Sequence, residues 1–247
     1  GYMEAYMVHE AKAGNRSVIY YPETAYWVNV DVDVPLFLPV YGQRRQHDLR
    51  RLARRETLEG FKLHGQMNFD SGWEWGYWLN DAVSARAVWN PRIEMATDED
   101  AMADILQRMF KPFGDANGAV TAHLQTIMQN QMELLIEGRV NGQVPADVNR
   151  RNGQAYMSGM DTWDDVADVA GSIPGVPAFA HQPDKLGLVD MRNPLHDPPG
   201  YSAEVDPLLS AMEDQFGEDL EVMRGLENQI PTHVLSYYDE MMDGLEI

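Results

Sequence analysis

Cysteine is absent from this 247-residue chain, and lysine is scarce. Without cysteine the protein has no disulfide, no thiolate metal ligand and no cysteine nucleophile. The 19 Lys and Arg residues, most of them arginine, are outnumbered by 39 Asp and Glu residues, which gives a net charge of -20. A surface of that charge repels phosphate backbones, so we expect no nucleic-acid partner.

Long apolar runs and several common motifs are also missing. No run of about 18 apolar residues occurs, so we expect no membrane span. The chain has no GxSxG, no P-loop and no GxGxxG, and we expect no cofactor. It starts at Gly1 without an initiator methionine or a signal peptide. We therefore expect a processed chain or part of a larger polypeptide or assembly, and the absence of a targeting signal says nothing about location. Separately, we expect a secreted or extracellular protein.

The patterns that are present divide the chain into two parts. Runs rich in β-branched and aromatic residues predict strands at Ser17 to Tyr21, Tyr26 to Val34 and Phe61 to Phe69. Apolar residues at helical spacing dominate after Pro91. We therefore predict an α/β fold with two regions. They are a partial, barrel-like β/α segment at 1–92 and a mainly helical region at 98–247, which includes an irregular segment at 172–199.

Two helix boundaries have clear chemical signals. Gln43 to Glu59 combines inward-facing leucines at helical spacing with a face of arginines, and Gly60 follows as the residue that ends the helix. Thr97 is followed by three acidic residues, which is typical of an N-cap and the first turn of a helix. Another helix is predicted at Tyr77 to Val88.

The densest chemical signal is the stretch Ser71 to Asp81, SGWEWGYWLND. It contains three of the six tryptophans, two glycines and a central carboxylate, Glu74. Indole and phenol rings stack on the C–H faces of sugars while their N–H and O–H groups bond hydroxyls, so this composition is typical of a sugar-binding cleft. Aromatic residues at this spacing also pack in protein cores, and the sequence leaves both interpretations open.

Two glutamates follow predicted strands. Glu23 comes after Ser17 to Tyr21, and Glu74 comes after Phe61 to Phe69. The C-terminal ends of parallel strands in β/α folds converge on one face, where active sites lie. Two carboxylates there hydrolyse a glycosidic bond with retention when about 5–5.5 Å apart, and with inversion when about 6.5–9.5 Å apart. The alternative is that each glutamate only pairs with an arginine of the basic helix.

A carbohydrate is therefore the expected ligand, and Glu23 and Glu74 are the predicted catalytic residues. Aromatic platforms and polar groups would hold the sugar. The predicted platforms are Trp27, Trp73, Trp75, Tyr77 and Trp78, and the predicted orienting residues are Arg44, His47 and Asp81.

The runs YYPETAYWVNVDVDVPLFLPVYG and SGWEWGYWLND resemble segments of β/α-barrel glycoside hydrolases and of large bacterial proteins related to them. The resemblance covers about Ser17 to Pro91. It implies a sugar substrate and a carboxylate pair, with Glu23 and Glu74 at the matching positions. Because the strand signals are too few for a complete barrel of about eight strands, it implies part of a barrel only.

Two other functions stay open. The same aromatic cleft without a working carboxylate pair would make a non-catalytic glycan-binding or structural protein. His64, Asp70 and Asp81 are the candidate residues of a metal-dependent hydrolase, but no HExxH pair accompanies them, and we expect no metal. Asp31 and Asp33 lack EF-hand spacing, so we interpret them as a solvated strand face rather than calcium ligands.

Overall fold

The computed structural model describes residues 2–21, 37–68, 77–133 and 206–246. Helices and two short strands make up these ranges. In chain order they are α1 (Tyr2–Ala13), β1 (Ile19–Tyr20), α2 (Val40–Glu59), β2 (Gly65–Gln66), α3 (Tyr77–Trp89), α4 (Asp98–Met109), α5 (Asn117–Gln131), α6 (Asp206–Leu226) and α7 (Leu235–Glu246). Short 3-10 helices occur at Lys111–Ala116, Glu227–Gln229 and Thr232–Val234.

The described part of the chain is mainly helical, so the prediction of an α/β fold with a partial β/α barrel is wrong. Within these ranges, β1 and β2 form one parallel two-stranded sheet, in which Ile19 pairs with Gly65 and Tyr20 with Gln66. A helix satisfies its own backbone hydrogen bonds, whereas a strand needs a neighbour. In the described ranges the helices bury their apolar faces against one another rather than against a sheet. The strand predicted at Tyr26 to Val34 lies outside the described residues.

Both predicted helix boundaries are confirmed. Gly60 ends α2 in the left-handed conformation, with φ of 69°, and its N–H donates to the carbonyl of Glu56 at 3.0 Å. Glycine adopts this conformation without a Cβ clash. At the start of α4, Thr97 Oγ1 accepts a hydrogen bond of 3.0 Å from the Asp100 N–H. That contact satisfies one of the free N–H groups of the first turn.

Side chains from two other helices cap the start of α2. The N–H of Val40 donates to Gln131 Oε1 of α5 at 3.2 Å, and the N–H of Gly42 donates to Asn80 Oδ1 of α3 at 2.9 Å. Both amide side chains are buried. These contacts fix the first turn of α2 against α3 and α5, because buried N–H groups must be paired. The same two side chains donate from their amide nitrogens to the preceding carbonyls of Phe37 and Leu38.

One hydrophobic core joins the helices on either side of the loop from Asn90 to Thr97. Leu79 and Val83 of α3 lie in the same buried cluster as Met102 and Ile105 of α4. Helices α5, α6 and α7 complete the cluster. Their most deeply buried members include Leu124, Ile127, Met128, Met223, Tyr238 and Met241.

The arginine-rich face of α2 is partly neutralised by α1. Arg51 Nη2 lies 3.0 Å from a carboxylate oxygen of Glu4, and Arg55 Nη1 lies 2.8 Å from the other. Arg55 also pairs with Glu59, one turn along the helix, and Lys12 of α1 pairs with the same carboxylate. The basic face therefore serves in part to hold α1 in place.

Candidate functional site at the edge of the parallel strands

The candidate site lies where the two parallel strands end. Because β1 and β2 run in the same direction, their C-terminal ends meet at one edge of the sheet. After β1 the chain leaves the described residues at Tyr21, and after β2 it leaves them at Asn68. It returns at Tyr77, where α3 begins. The sequence predicted a site at converging strand ends of a larger β/α sheet; among the described residues, only two short strands form such an edge.

The first half of the site is built on Tyr20 and α2. The Tyr20 hydroxyl donates to Asp48 Oδ2 at 2.8 Å, and Arg45 Nη2 lies 3.4 Å from the same oxygen. Burial raises the pKa of the Tyr20 phenol well above its ordinary value, and the positive charges of Arg45 and Arg44 only partly oppose the rise. Tyr20 is therefore a neutral hydrogen-bond donor at physiological pH.

The second half connects β2 to α3. Gln66 Nε2 donates to Asn68 Oδ1 at 2.5 Å, and Asn68 Nδ2 donates to Asp81 Oδ1 at 3.1 Å. Because Tyr20 and Gln66 are paired residues of adjacent strands, their side chains project from the same face of the sheet. The two halves thus meet at the sheet. We call the six side chains the polar edge cluster; its members are Tyr20, Arg45, Asp48, Gln66, Asn68 and Asp81.

Two polar atoms of the polar edge cluster, Gln66 Oε1 and Arg45 Nε, are buried without a hydrogen-bond partner. Nearly all buried polar side-chain atoms in proteins are paired, so each exception needs an explanation. Here the unpaired atoms comprise both donors and acceptors, which is the combination that recognises hydroxyl groups.

Of the predicted site residues, Arg44 and Asp81 lie at this edge. Asp81 is a member of the polar edge cluster, and the charge of Arg44 acts on Tyr20. Arg44 makes no hydrogen bond or ion pair with another residue of the described ranges. Outside those ranges lie Glu23, Trp27, Trp73, Glu74 and Trp75; Tyr77 begins α3, but its side chain is likewise outside what is described.

Two other predicted residues have contacts elsewhere. The ring of Trp78 packs edge-on against Phe110 and Tyr237, with centroid distances of 6.3 and 5.4 Å, so part of this indole belongs to the packing of the helices. His47 Nδ1 makes a short contact with Asp98 Oδ2 at the start of α4. That carboxylate also pairs with the buried Arg50. His47 therefore lies at the contact between α2 and α4.

The described residues hold no group of three or more His, Asp or Glu side chains arranged to bind a metal ion. His64, the candidate ligand, instead joins the two strands. Its ring Nδ1 accepts a hydrogen bond of 3.2 Å from the Val18 N–H, and its main-chain N–H donates to the Val18 carbonyl at 2.8 Å. Asp70 lies outside the described residues.

Sequence reasoning missed most of the polar edge cluster. Tyr20 looked like a buried strand residue, and Gln66 and Asn68 sit in a predicted strand without a recognisable motif. One usable signal was present. Asp48 lies four residues after Arg44 and three after Arg45, so these side chains share one face of a helix that must return to the sheet.

No family model, curated protein or solved structure matches the chain. The sequence also predicted that no segment spans a membrane. In the described ranges, every helix is too short or too polar to cross a bilayer.

Proposed function

We propose that this protein binds a carbohydrate at the C-terminal edge of β1 and β2 and hydrolyses a glycosidic bond there. The observation that carries the binding step is the polar edge cluster, with buried, unpaired atoms on Arg45 and Gln66. Guanidinium, amide, phenol and carboxylate groups supply the donors and acceptors that sugar hydroxyls require. Arg44, which has no ion-pair partner among the described residues, adds a positive charge beside them.

The hydrolytic step is supported by the sequence alone. The segment after Tyr20 carries Glu23, and the segment before Tyr77 carries Glu74, each three residues from a described position. Because one residue spans at most about 3.6 Å, these short separations are compatible with both carboxylates reaching the edge. One carboxyl would protonate the leaving oxygen while the other attacks the sugar or activates water.

The aromatic residues near these glutamates suit the same ligand. Trp73 and Trp75 flank Glu74 in the sequence, and Trp27 follows Glu23 by four positions. Indole rings stack on pyranose faces, which positions the glycosidic bond relative to a nearby carboxylate. Non-catalytic glycan binding is the second candidate function, because the polar edge cluster supports binding without reference to either glutamate.

A panel of glycans separates these two functions. We expect the intact chain to release reducing ends from at least one glycan, and Glu74→Gln to abolish that release while retaining binding. Glu213→Gln, which removes an exposed carboxylate on α6, is the matched control and should hydrolyse like the wild type. Binding without turnover by the intact chain would eliminate the hydrolase and leave the glycan-binding protein. Normal turnover by Glu74→Gln would remove this glutamate from the mechanism.

A further inference from the structure

A separate cleft lies at the other end of α3. Its volume is about 400 Å³, and it runs between the last turns of α3 and one face of α4. Ala85, Arg86 and Trp89 line one side, and Asp104 and Arg108 line the other. Trp89 follows Asp81 by eight residues, or about 12 Å along the helix axis, so this cleft is distinct from the polar edge cluster.

The wall of the cleft contains the most exposed large apolar side chain of the described residues. Trp89 is 91% exposed, so folding gains almost nothing from burying its indole. A flat aromatic face of this kind, beside a concave surface, is available to a ligand ring. Packing in the core does not explain this tryptophan.

The floor of the cleft is formed by a residue in a strained conformation. Arg92 has φ of 51°, the only positive φ of a non-glycine residue in the described ranges. Its side chain is held by Asp104, 2.5 Å from Nε, and by the Asn90 carbonyl, 2.7 Å from Nη1. Backbone strain that surrounding contacts maintain is concentrated at binding sites.

The charge of the cleft differs from that of the whole protein. Three arginines line it against two carboxylates, although the chain carries a net charge of -20. Arg92 and Arg108 both donate to Asp104. Arg86, by contrast, makes no hydrogen bond or ion pair through its side chain with other described residues. Arg86, unpaired among the described residues, thus lies one helical turn from an exposed indole.

We propose that this cleft binds a small ring compound that carries a carboxylate. The ring stacks on Trp89, and the carboxylate pairs with the Arg86 guanidinium in the bidentate geometry that arginine favours. Arg108, whose side chain is 70% exposed, can add a second hydrogen bond from its terminal nitrogens. A uronic acid unit of a glycan and an aromatic acid share this chemistry. The proposal does not depend on the carbohydrate site at the strand edge.

Nuclear magnetic resonance of the ¹⁵N-labelled full chain tests the proposal through the indole N–H signals, with Trp89 assigned by Trp89→Phe. The probes are trigalacturonate, neutral maltotriose and phenylacetate. We expect at least one of the two acids to shift the Trp89 signal saturably, and maltotriose to leave it unchanged. The acid that binds identifies the source of the ligand.

Variants at exposed positions complete the test without risk of unfolding. Arg86→Gln should weaken binding, read from the Trp89 signal, by about tenfold or more. Trp89→Ala lacks that signal, so its binding is measured by titration calorimetry, and it should weaken by a similar factor. Leu58→Ala removes another exposed apolar side chain, and Lys111→Gln removes another exposed cation, so both should bind like the wild type. The proposal is overturned if neither acid moves the Trp89 signal, if maltotriose moves that signal equally, or if Arg86→Gln binds normally.

Discussion

The buried guanidinium of Arg50 in α2 pairs with the carboxylate of Asp98 in the first turn of α4, with 2.6 Å between Nε and Oδ1. The pair is a charge contact rather than an aligned hydrogen bond, since Arg50 Nε has no acceptor in line with its N–H. The terminal nitrogens donate to the main-chain carbonyls of Met95, at 3.1 Å, and of Arg92. One side chain therefore ties the loop between α3 and α4 to α2.

Arg50→Met should destabilise the protein by about 3 kcal/mol. Methionine keeps much of the apolar volume but leaves Asp98 without its charge partner and two carbonyls without their donor, and breaking a buried pair costs about 3–5 kcal/mol. Asp98 is partly exposed, which favours the lower end of that range. Urea denaturation measures the change in the free energy of unfolding.

The adjacent arginine provides the control for this measurement. Arg51 is mostly exposed and pairs with Glu4 at the surface, so Arg51→Met should cost less than about 1 kcal/mol. Equal costs for the two variants would show that Arg50 contributes no more than a surface ion pair.

The same carboxylate makes stability depend on pH. Burial raises the pKa of Asp98, but the hydrogen bond from His47 and the charge of Arg50 outweigh burial and hold the pKa below its ordinary value. A lowered pKa in the folded state means that the contribution is complete above about pH 4, the ordinary Asp value. It is lost as pH falls through the folded value. The stability difference between wild type and Asp98→Asn should therefore shrink in acid; a constant difference would contradict this assignment.

Gly42→Ala should destabilise the contact between α2 and α3. An added Cβ would lie 2.8 Å from Asn80 Oδ1, which already accepts the Gly42 N–H in a buried position. Asn80 must then move and leave buried polar groups unpaired, at a cost of about 1–3 kcal/mol. Gly118→Ala in α5 is the control, because its Cβ meets no atom within 4 Å. It should be neutral or stabilising, since alanine favours helix. Thermal unfolding of both variants checks the contrast.

Tyr20 should resist ionisation in alkaline solution. Burial raises the pKa of this phenol, and the neighbouring Asp48 carboxylate adds to the rise. Spectrophotometric titration of the folded chain counts the tyrosines that ionise near their ordinary pKa of about 10. This number should be the same in the wild type and in Tyr20→Phe. Loss of one such tyrosine in the variant would mean that Tyr20 is accessible to solvent and not held by Asp48.

The local parts of the fold could be predicted from sequence, because their causes are local. Gly60 and Thr97 mark helix ends through their own backbone and side-chain chemistry. The fold class was missed because β-branched runs such as SVIYY are equally compatible with brief two-residue pairing beside a helical core. Only tertiary packing decides between the two.

The edge where β1 and β2 end is where the sequence predicts a site, and that placement stays a prediction; the contacts at this edge were not predicted. The ends of β1 and β2 meet at one edge because Tyr20 and Gln66 pair in a parallel sheet. The contacts among Tyr20, Asp48 and Asp81, however, join residues far apart in the sequence, and no local pattern encodes such contacts. Arg44 is a predicted orienting residue, but its place beside Tyr20 depends on how α2 packs on the sheet.

Amide hydrogen exchange of the full chain, with and without a glycan selected from the binding panel, tests the central claim most directly. We predict that the glycan slows exchange at 19–21, 44–48 and 65–68, and that Arg44→Gln, but not the exposed control Lys62→Gln, weakens this protection. Protection confined to other parts of the chain, or no binding by any glycan of the panel, would contradict a carbohydrate site at the edge of β1 and β2.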